Sequence, residues 1–308
     1  MPGSIPASVT TEPAAVPGGP PEGPSGAKIL ARLLLRTPAG LIGASLLLIV
    51  LVGALFADAV ATADPFVSVS RSLQPPSTAH PMGTDDLGRD VLSGVLHGAR
   101  TSLIVVVCVL AIAAPIGIAV GAVSGYRGGR VDHALMRVTE VFQTIPQFFL
   151  AVIVVALFGA GIQKVVVLLG LTLWPMLARV VRAETLSVRR REFVEAARSV
   201  GLTETRIVLR HVLPNVLPSA VVVVTLLGGT VILLEAALGF IGLGDPSVMS
   251  WGYLANNAQR FLRVAWWMTV FPGAAIVLAV LGLNLFGDAL SDLRNPLAGR
   301  RPLFPPWL

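Results

Sequence analysis

The sequence predicts an all-α polytopic membrane protein with six transmembrane helices and both termini cytoplasmic. Three observations predict it. The 308 residues are 54% apolar and 13% charged, with a mean hydropathy of +0.79, and a water-soluble globule of that composition cannot cover its own apolar surface. Six apolar runs follow one another, at about 39–60, 99–125, 136–160, 162–181, 214–241 and 266–289, each near the ~20 residues that a hydrocarbon core requires. Most of the 23 Lys and Arg residues fall in the N-terminal segment, the 126–137 loop, the 182–212 loop and the C-terminal tail, which the positive-inside rule places in the cytoplasm. A sequence pI near 10.6 therefore reflects loop sidedness and not a nucleic-acid partner.

Taken in order, residues 1–26 are rich in Pro, Gly, Ser and Ala, cannot repay the entropy of ordering, and read as a disordered cytoplasmic tail. In 27–38, Lys28, Arg32 and Arg36 recur every four residues beside Ile29, Leu30, Leu33 and Leu34, the pattern of an amphipathic helix lying in the interface and closed by Pro38. The first transmembrane helix, 39–60, ends A-D-A-V-A-T-A like a signal-peptidase site, but its long apolar stretch and the spans that follow make it an uncleaved helix. Residues 61–98 are extracytoplasmic, with Thr84 placed to cap a helix whose apolar stripe is Leu87, Val91, Leu92, Val95 and Leu96; this helix is expected to lie along the outer interface. The core, 99–292, carries five further spans, the fourth interrupted by Lys164, Trp174 and Pro175, and 293–308 is a cytoplasmic tail. Gly117, Gly121 and Gly125, with Gly228, Gly229 and Gly282 in later spans, mark close helix packing in lipid, or hinges.

Candidate chemistry is sparse. The single Cys108 excludes an intramolecular disulfide, and His80, His97, His133 and His211 show no ligand spacing, so neither thiol nor metal chemistry is expected. The only lysines, Lys28 and Lys164, end no phosphate-binding loop, so ATP belongs to another chain and this one is expected to be non-catalytic. Glu235 lies well inside the fifth span, where a carboxylate must face water or a partner. It either lines a polar pathway or makes a buried structural hydrogen bond. Glu140, Gln143 and Asn284 are weaker pathway candidates, and Asp288 and Asp292 are placed at the cytoplasmic interface.

The loop 182–214 is the most informative segment. From Arg189 to Val200 long charged side chains alternate with Val194, Ala196, Ala197 and Val200, a small apolar stripe that permits close approach. Gly201 supplies the left-handed residue that ends a helix, and Thr203 is an N-cap for a second short helix running to Leu213. Two short helices at a sharp turn make a knob, which is a docking surface and not a catalytic site.

Glu195 to Pro214, E-A-A-R-S-V-G-L-T-E-T-R-I-V-L-R-H-V-L-P, resembles the EAA loop of ABC-type importers, with His211 where the pattern has Ile. His80 to Leu92, H-P-M-G-T-D-D-L-G-R-D-V-L, is similar to the signature of the C-type permease subunit of dipeptide, oligopeptide and nickel importers. The same family is resembled at Gly125-Tyr126 with Gly128-Gly129, Asp132 and Met136-Arg137. Further likeness lies at Trp174-Pro175 with Ala178 to Glu184, at Arg191 to Ala197, at Phe240 to Gly244, at Ser250-Trp251-Gly252, at Pro272-Gly273 and at Asn284 to Asp288. Met82, Glu140 and Ile241 depart from it. The resemblance implies a type I ABC importer permease in the bacterial cytoplasmic membrane. Its implied partners are a second homologous permease, two ATPase subunits or one fused ATPase that hold ATP and Mg, and an extracytoplasmic substrate-binding protein. It further implies that Glu195, Ala196, Ala197, Gly201, Leu202 and Pro214 couple the chain to the ATPase, and that the cargo is a dipeptide or oligopeptide, with nickel chelates and glutathione as alternatives. A secondary transporter is the competing class; it predicts inverted repeats, and none is found.

Overall fold

The computed structural model describes residues 38–61 and 63–292, and among them the only non-helical pairing is two isolated bridges, Ser68 with Arg89 and Thr84 with Asp90. The expected N-terminal tail and most of the interfacial helix, like the tail 293–308, lie outside the described residues. Pro38 opens the first described helix, α1 (Pro38–Leu55); α2 (Ala57–Val60) follows a one-residue break at Phe56. The rest are α3 (Val91–Arg127), α4 (Gly129–Thr144), α5 (Gln147–Phe158), α6 (Ile162–Val188), α7 (Glu192–Ser199), α8 (Glu204–Phe240), α9 (Trp251–Ala258) and α10 (Trp267–Asp292).

Five of these, α1, α3, α6, α8 and α10, are long and apolar enough to cross a membrane, and there are six if α4 and α5, bent by 73°, together make one span. The predicted straight run 136–160 is therefore two helices. Pro146 causes the bend: it has no N–H to donate and it forces the residue before it out of the helical region. Ile145 accordingly sits at φ −84°, ψ 118°.

Glycine sets the packing. The most extensive helix contact is α3 on α6, along the ladder Gly117, Gly121 and Gly125. A Cβ on Gly121 would lie 2.5 Å from the Ala178 carbonyl oxygen, and one on Gly117 2.9 Å from that of Trp174, so only a hydrogen atom fits between the backbones. On the other flank α1 lies against α10, where a Cβ on Gly43 would lie 2.7 Å from the Phe286 nitrogen. Between the two pairs runs α8, which touches α3, α6, α9 and α10.

Three expectations are corrected. The outer-interface helix does not exist as a separate element: α3 begins at Val91, capped by Asp90, whose Oδ2 accepts from the Ser93 amide at 2.8 Å. It continues for 37 residues, through the predicted second span. Thr84 caps nothing; it is buried in the preceding loop, where its hydroxyl donates to the Arg71 carbonyl and accepts from the Gln74 amide. Gly83 and Gly88, at φ 75° and 74°, turn that loop, and a bond from Trp267 Nε1 to the Thr84 carbonyl ties it to α10. The stripe extends too far back because four of its five residues, Val91, Leu92, Val95 and Leu96, belong to the start of α3, and only Leu87 lies in the loop. Secondly, Lys164, Trp174 and Pro175 do not interrupt the fourth span, since α6 is continuous from Ile162 and its early Lys164 ammonium donates to the Gly159 and Ala160 carbonyls. Thirdly, the second short helix does not stop at Leu213. It passes through a π-turn, Val208–Val212, directly into Leu213–Phe240. Proline at 214 cannot donate backward, and the wider turn together with a bond from Asn215 Nδ2 to the His211 carbonyl (2.7 Å) carries the chain past it.

Candidate functional site

The knob is built by a glycine turn. At the end of α7 the Gly201 amide donates to the Arg198 carbonyl (2.9 Å) and the Leu202 amide to the Ala197 carbonyl (3.2 Å), the paired bonds of a helix ended by a left-handed residue. Gly201 has φ 82°, and no atom beyond the neighbouring residues lies within 4 Å of where its Cβ would stand. Conformation, not crowding, requires glycine here. Thr203 occupies the cap position of α8 as predicted, at φ −65°, ψ 146°, yet its side chain makes no capping bond.

The apolar stripe of α7 divides into two. Val194 and Ala197, three residues apart, are buried against the chain's own core together with Ile207 and Val212. Ala196 and Val200, four apart, face outward with Glu195 and Gly201, Val200 being 82% exposed. A single stripe of four small residues had been expected to face a partner; a helix turning 100° per residue cannot place all four on one side. Leu202 is half-buried under the turn, and Pro214 is exposed on α8, beyond the π-turn.

Polar side chains from three other helices brace the knob. The Tyr126 hydroxyl, at the end of α3, donates to the Glu204 carboxylate, while Arg198 Nη2 donates to the same hydroxyl (3.3 Å) with its guanidinium 5.5 Å from the ring centroid. Arg189 Nη1 donates to the Gly125 and Tyr126 carbonyls at 3.0 Å, satisfying the orphan acceptors where α3 ends. Arg182 on α6 holds Asp132 on α4 with two parallel bonds of 2.5 and 2.6 Å, and Ser124 donates to the same carboxylate. Ser219 donates to Glu184 at 2.7 Å. Between these braces and the start of α8 opens a groove of about 590 Å³ lined by Tyr126, Arg127, Arg198, Glu204 and Leu209. Sequence reasoning gave none of these braces a role. The pairs Arg182–Asp132 and Tyr126–Glu204 are 50 and 78 residues apart, so no local pattern links their partners, although each of the four lies within a quoted motif.

The four pathway candidates fall in three places. Glu235 is buried where α8 meets α3, accepting from Ser102 Oγ (3.1 Å), and lines a small pocket together with Ser250, the cap of α9. Asn284, on α10, packs over Gly229 of α8, its Oδ1 3.2 Å from where a glycine Cβ would stand. Glu140 and Gln143 lie apart from both, on the exposed face of α4, where Glu140 pairs with Arg137 at 3.0 Å. Glu235 thus has a partner within this chain.

Comparison with known proteins bears on what such a knob does. Residues 117–298 match the family described as "Binding-protein-dependent transport system inner membrane component". The chain is 37% identical over 278 residues to the probable D,D-dipeptide transport system permease protein DdpC of Escherichia coli K12, covering 89% of this chain and 93% of that protein. It is 38% identical over 228 residues to the dipeptide transport system permease protein DppC of Alkalihalophilus pseudofirmus (74% and 75% covered). A putative peptide transport system permease of Brucella suis is also 38% identical, over 271 residues (87% and 91%). Among solved structures, a chain of the MetNI methionine ABC transporter in an inward-facing form superposes with a TM-score of 0.54 at 20% identity, over 63% of this chain and 93% of that one. That likeness carries the fold alone.

Proposed function

The chain belongs to the family of binding-protein-dependent transport system inner membrane components, and from that premise we propose that it is the peptide-importing permease of an ABC transporter, coupled to an ATPase through the knob at Gly201. The observation that carries the coupling is the division of α7: Val194 and Ala197 seat the helix on its own subunit while Glu195, Ala196 and Val200 are presented outward at the tip of a rigid turn. Peptide cargo is supported by the relatives named above, which are dipeptide and peptide permeases.

The geometry suggests how force would pass. Because the second half of the knob is the first turn of α8, a push on the knob acts on a helix of 37 residues, roughly 55 Å long at 1.5 Å per residue. Near its far end Glu235 accepts from Ser102 and Gly239 packs on Gly252 of α9, so displacement at the knob bears on the packing of α3 and α9. Discrete repacking of helices is how such motion switches between two states. A second homologous permease would complete the pathway, and a substrate-binding protein would deliver the peptide to the face opposite the knob. The subunit alone is expected neither to turn over ATP nor to take up peptide. Reconstituted with its second permease, ATPase subunits and binding protein, it is expected to take up a radiolabelled dipeptide only when ATP is present. ATP turnover by the purified chain, or uptake without ATP, overturns the reading.

A further inference from the structure

An apolar groove of about 250 Å³ runs between α1 and α3, lined by Leu51, Leu55, Ile104, Val107 and the exposed Cys108, with Arg100 as its charged lining residue. Among the described residues no helix covers those walls: Leu55 is 65% exposed and Val107 67%. From Arg100 to Cys108 the groove follows nine residues of α3, a rise of about 12 Å, the reach of the upper part of an acyl chain. The Arg100 end is charged on both signs. Arg100 is fixed by bonds from Nε to the Ala54 carbonyl and from Nη2 to the Leu55 carbonyl, and its Nη1 and Nη2 also donate to Asp58 at 3.3 and 3.0 Å. One of the five guanidinium N–H groups is left over, and the side chain is 36% exposed. Asp58 is 73% exposed. Arg100 first and His97 second hold its carboxyl below the usual carboxylate range, so it stays an anion. The charged pair stands three residues beyond Leu55, where the apolar run of α1 ends, which is headgroup level for a span of that length.

We propose that this groove and the Arg100–Asp58 pair at its end form a binding site for a phosphatidylethanolamine-type lipid, the groove taking one acyl chain and the pair its headgroup. The spare guanidinium N–H meets the phosphate, and the exposed carboxylate accepts from the primary ammonium. Charge complementarity selects this class. Asp58 offsets Arg100, so an anionic headgroup gains little, and a trimethylated choline has no N–H to give to the carboxylate.

The test uses the whole complex in nanodiscs of mixed phosphatidylethanolamine, phosphatidylglycerol and phosphatidylcholine, read by native mass spectrometry of the retained lipid. Phosphatidylethanolamine should be enriched roughly three-fold over the bulk ratio, the scale that one exposed ion pair supports, and a photoreactive acyl chain should label the peptide containing Cys108. Asp58→Asn should return the ratio to bulk. Val107→Trp, which fills the groove away from the ion pair, should abolish the labelling and carries the test if the first variant does not accumulate. Bulk lipid ratios in the wild type, equal enrichment of all three headgroups, or cross-linking of the groove to the second permease each overturn the site.

Discussion

Gly201→Val is expected to abolish uptake while the subunit still accumulates in the membrane. At φ 82° a β-branched residue pays on the order of 1–2 kcal/mol of steric strain, and the turn relieves it by rotating α7 against α8. Since no atom beyond the neighbouring residues lies within 4 Å of the Cβ position, crowding at Cβ adds nothing to that strain, and the site lies outside the long membrane-spanning runs. Uptake should fall by more than about ten-fold, which a shift of ~1.4 kcal/mol in the coupled equilibrium produces, with ATPase subunits co-purifying poorly or hydrolysing ATP without transport. Gly201→Asn, a residue that tolerates the left-handed region, should retain most of the activity. Equal uptake by the valine variant at equal abundance would show that the turn is not the coupling element.

The two alanines of α7 should part company. Ala196→Arg places a long cation on the exposed tip, so membrane abundance should stay near wild type while ATPase association is lost through steric exclusion and added charge. Ala197→Arg forces the same side chain into a site packed against the core. It should lower abundance itself, because overpacking and burial of an unpaired charge cost about 1–3 kcal/mol or more. Immunoblots of membranes alongside ATPase co-purification separate the two. Similar behaviour of both variants would mean that α7 is not seated as described.

What was legible in the sequence follows the kind of signal each feature leaves. The spans were readable because apolar length is a local property, and Gly201 was readable because a left-handed turn leaves a local residue choice. The bend at Ile145-Pro146 was missed because hydropathy averages across it, although Pro146 itself was the cue. The outer-interface helix was an error of period: Leu87, Val91 and Val95 do recur at helical spacing, but Gly88 at φ 74° and the buried Thr84 keep the first of them in a loop. Ala197 was assigned to a partner for a related reason, since residue size does not tell which side of an eight-residue helix faces home. The braces on the knob, Tyr126 with Glu204 and Arg182 with Asp132, depend on helices brought together from distant parts of the chain, and no local pattern announces them.

The central claim is that the outward face of α7 meets an ATPase. In a Cys108→Ser background, cysteines placed singly at Ala196, Val200 and, on the opposite face of the protein, Pro76 can be cross-linked in intact membranes with a short bifunctional reagent. Ala196→Cys and Val200→Cys should form adducts with the ATPase subunit, and Pro76→Cys should form none with it. Absence of adducts at both knob positions, or an ATPase adduct at Pro76, would contradict the account.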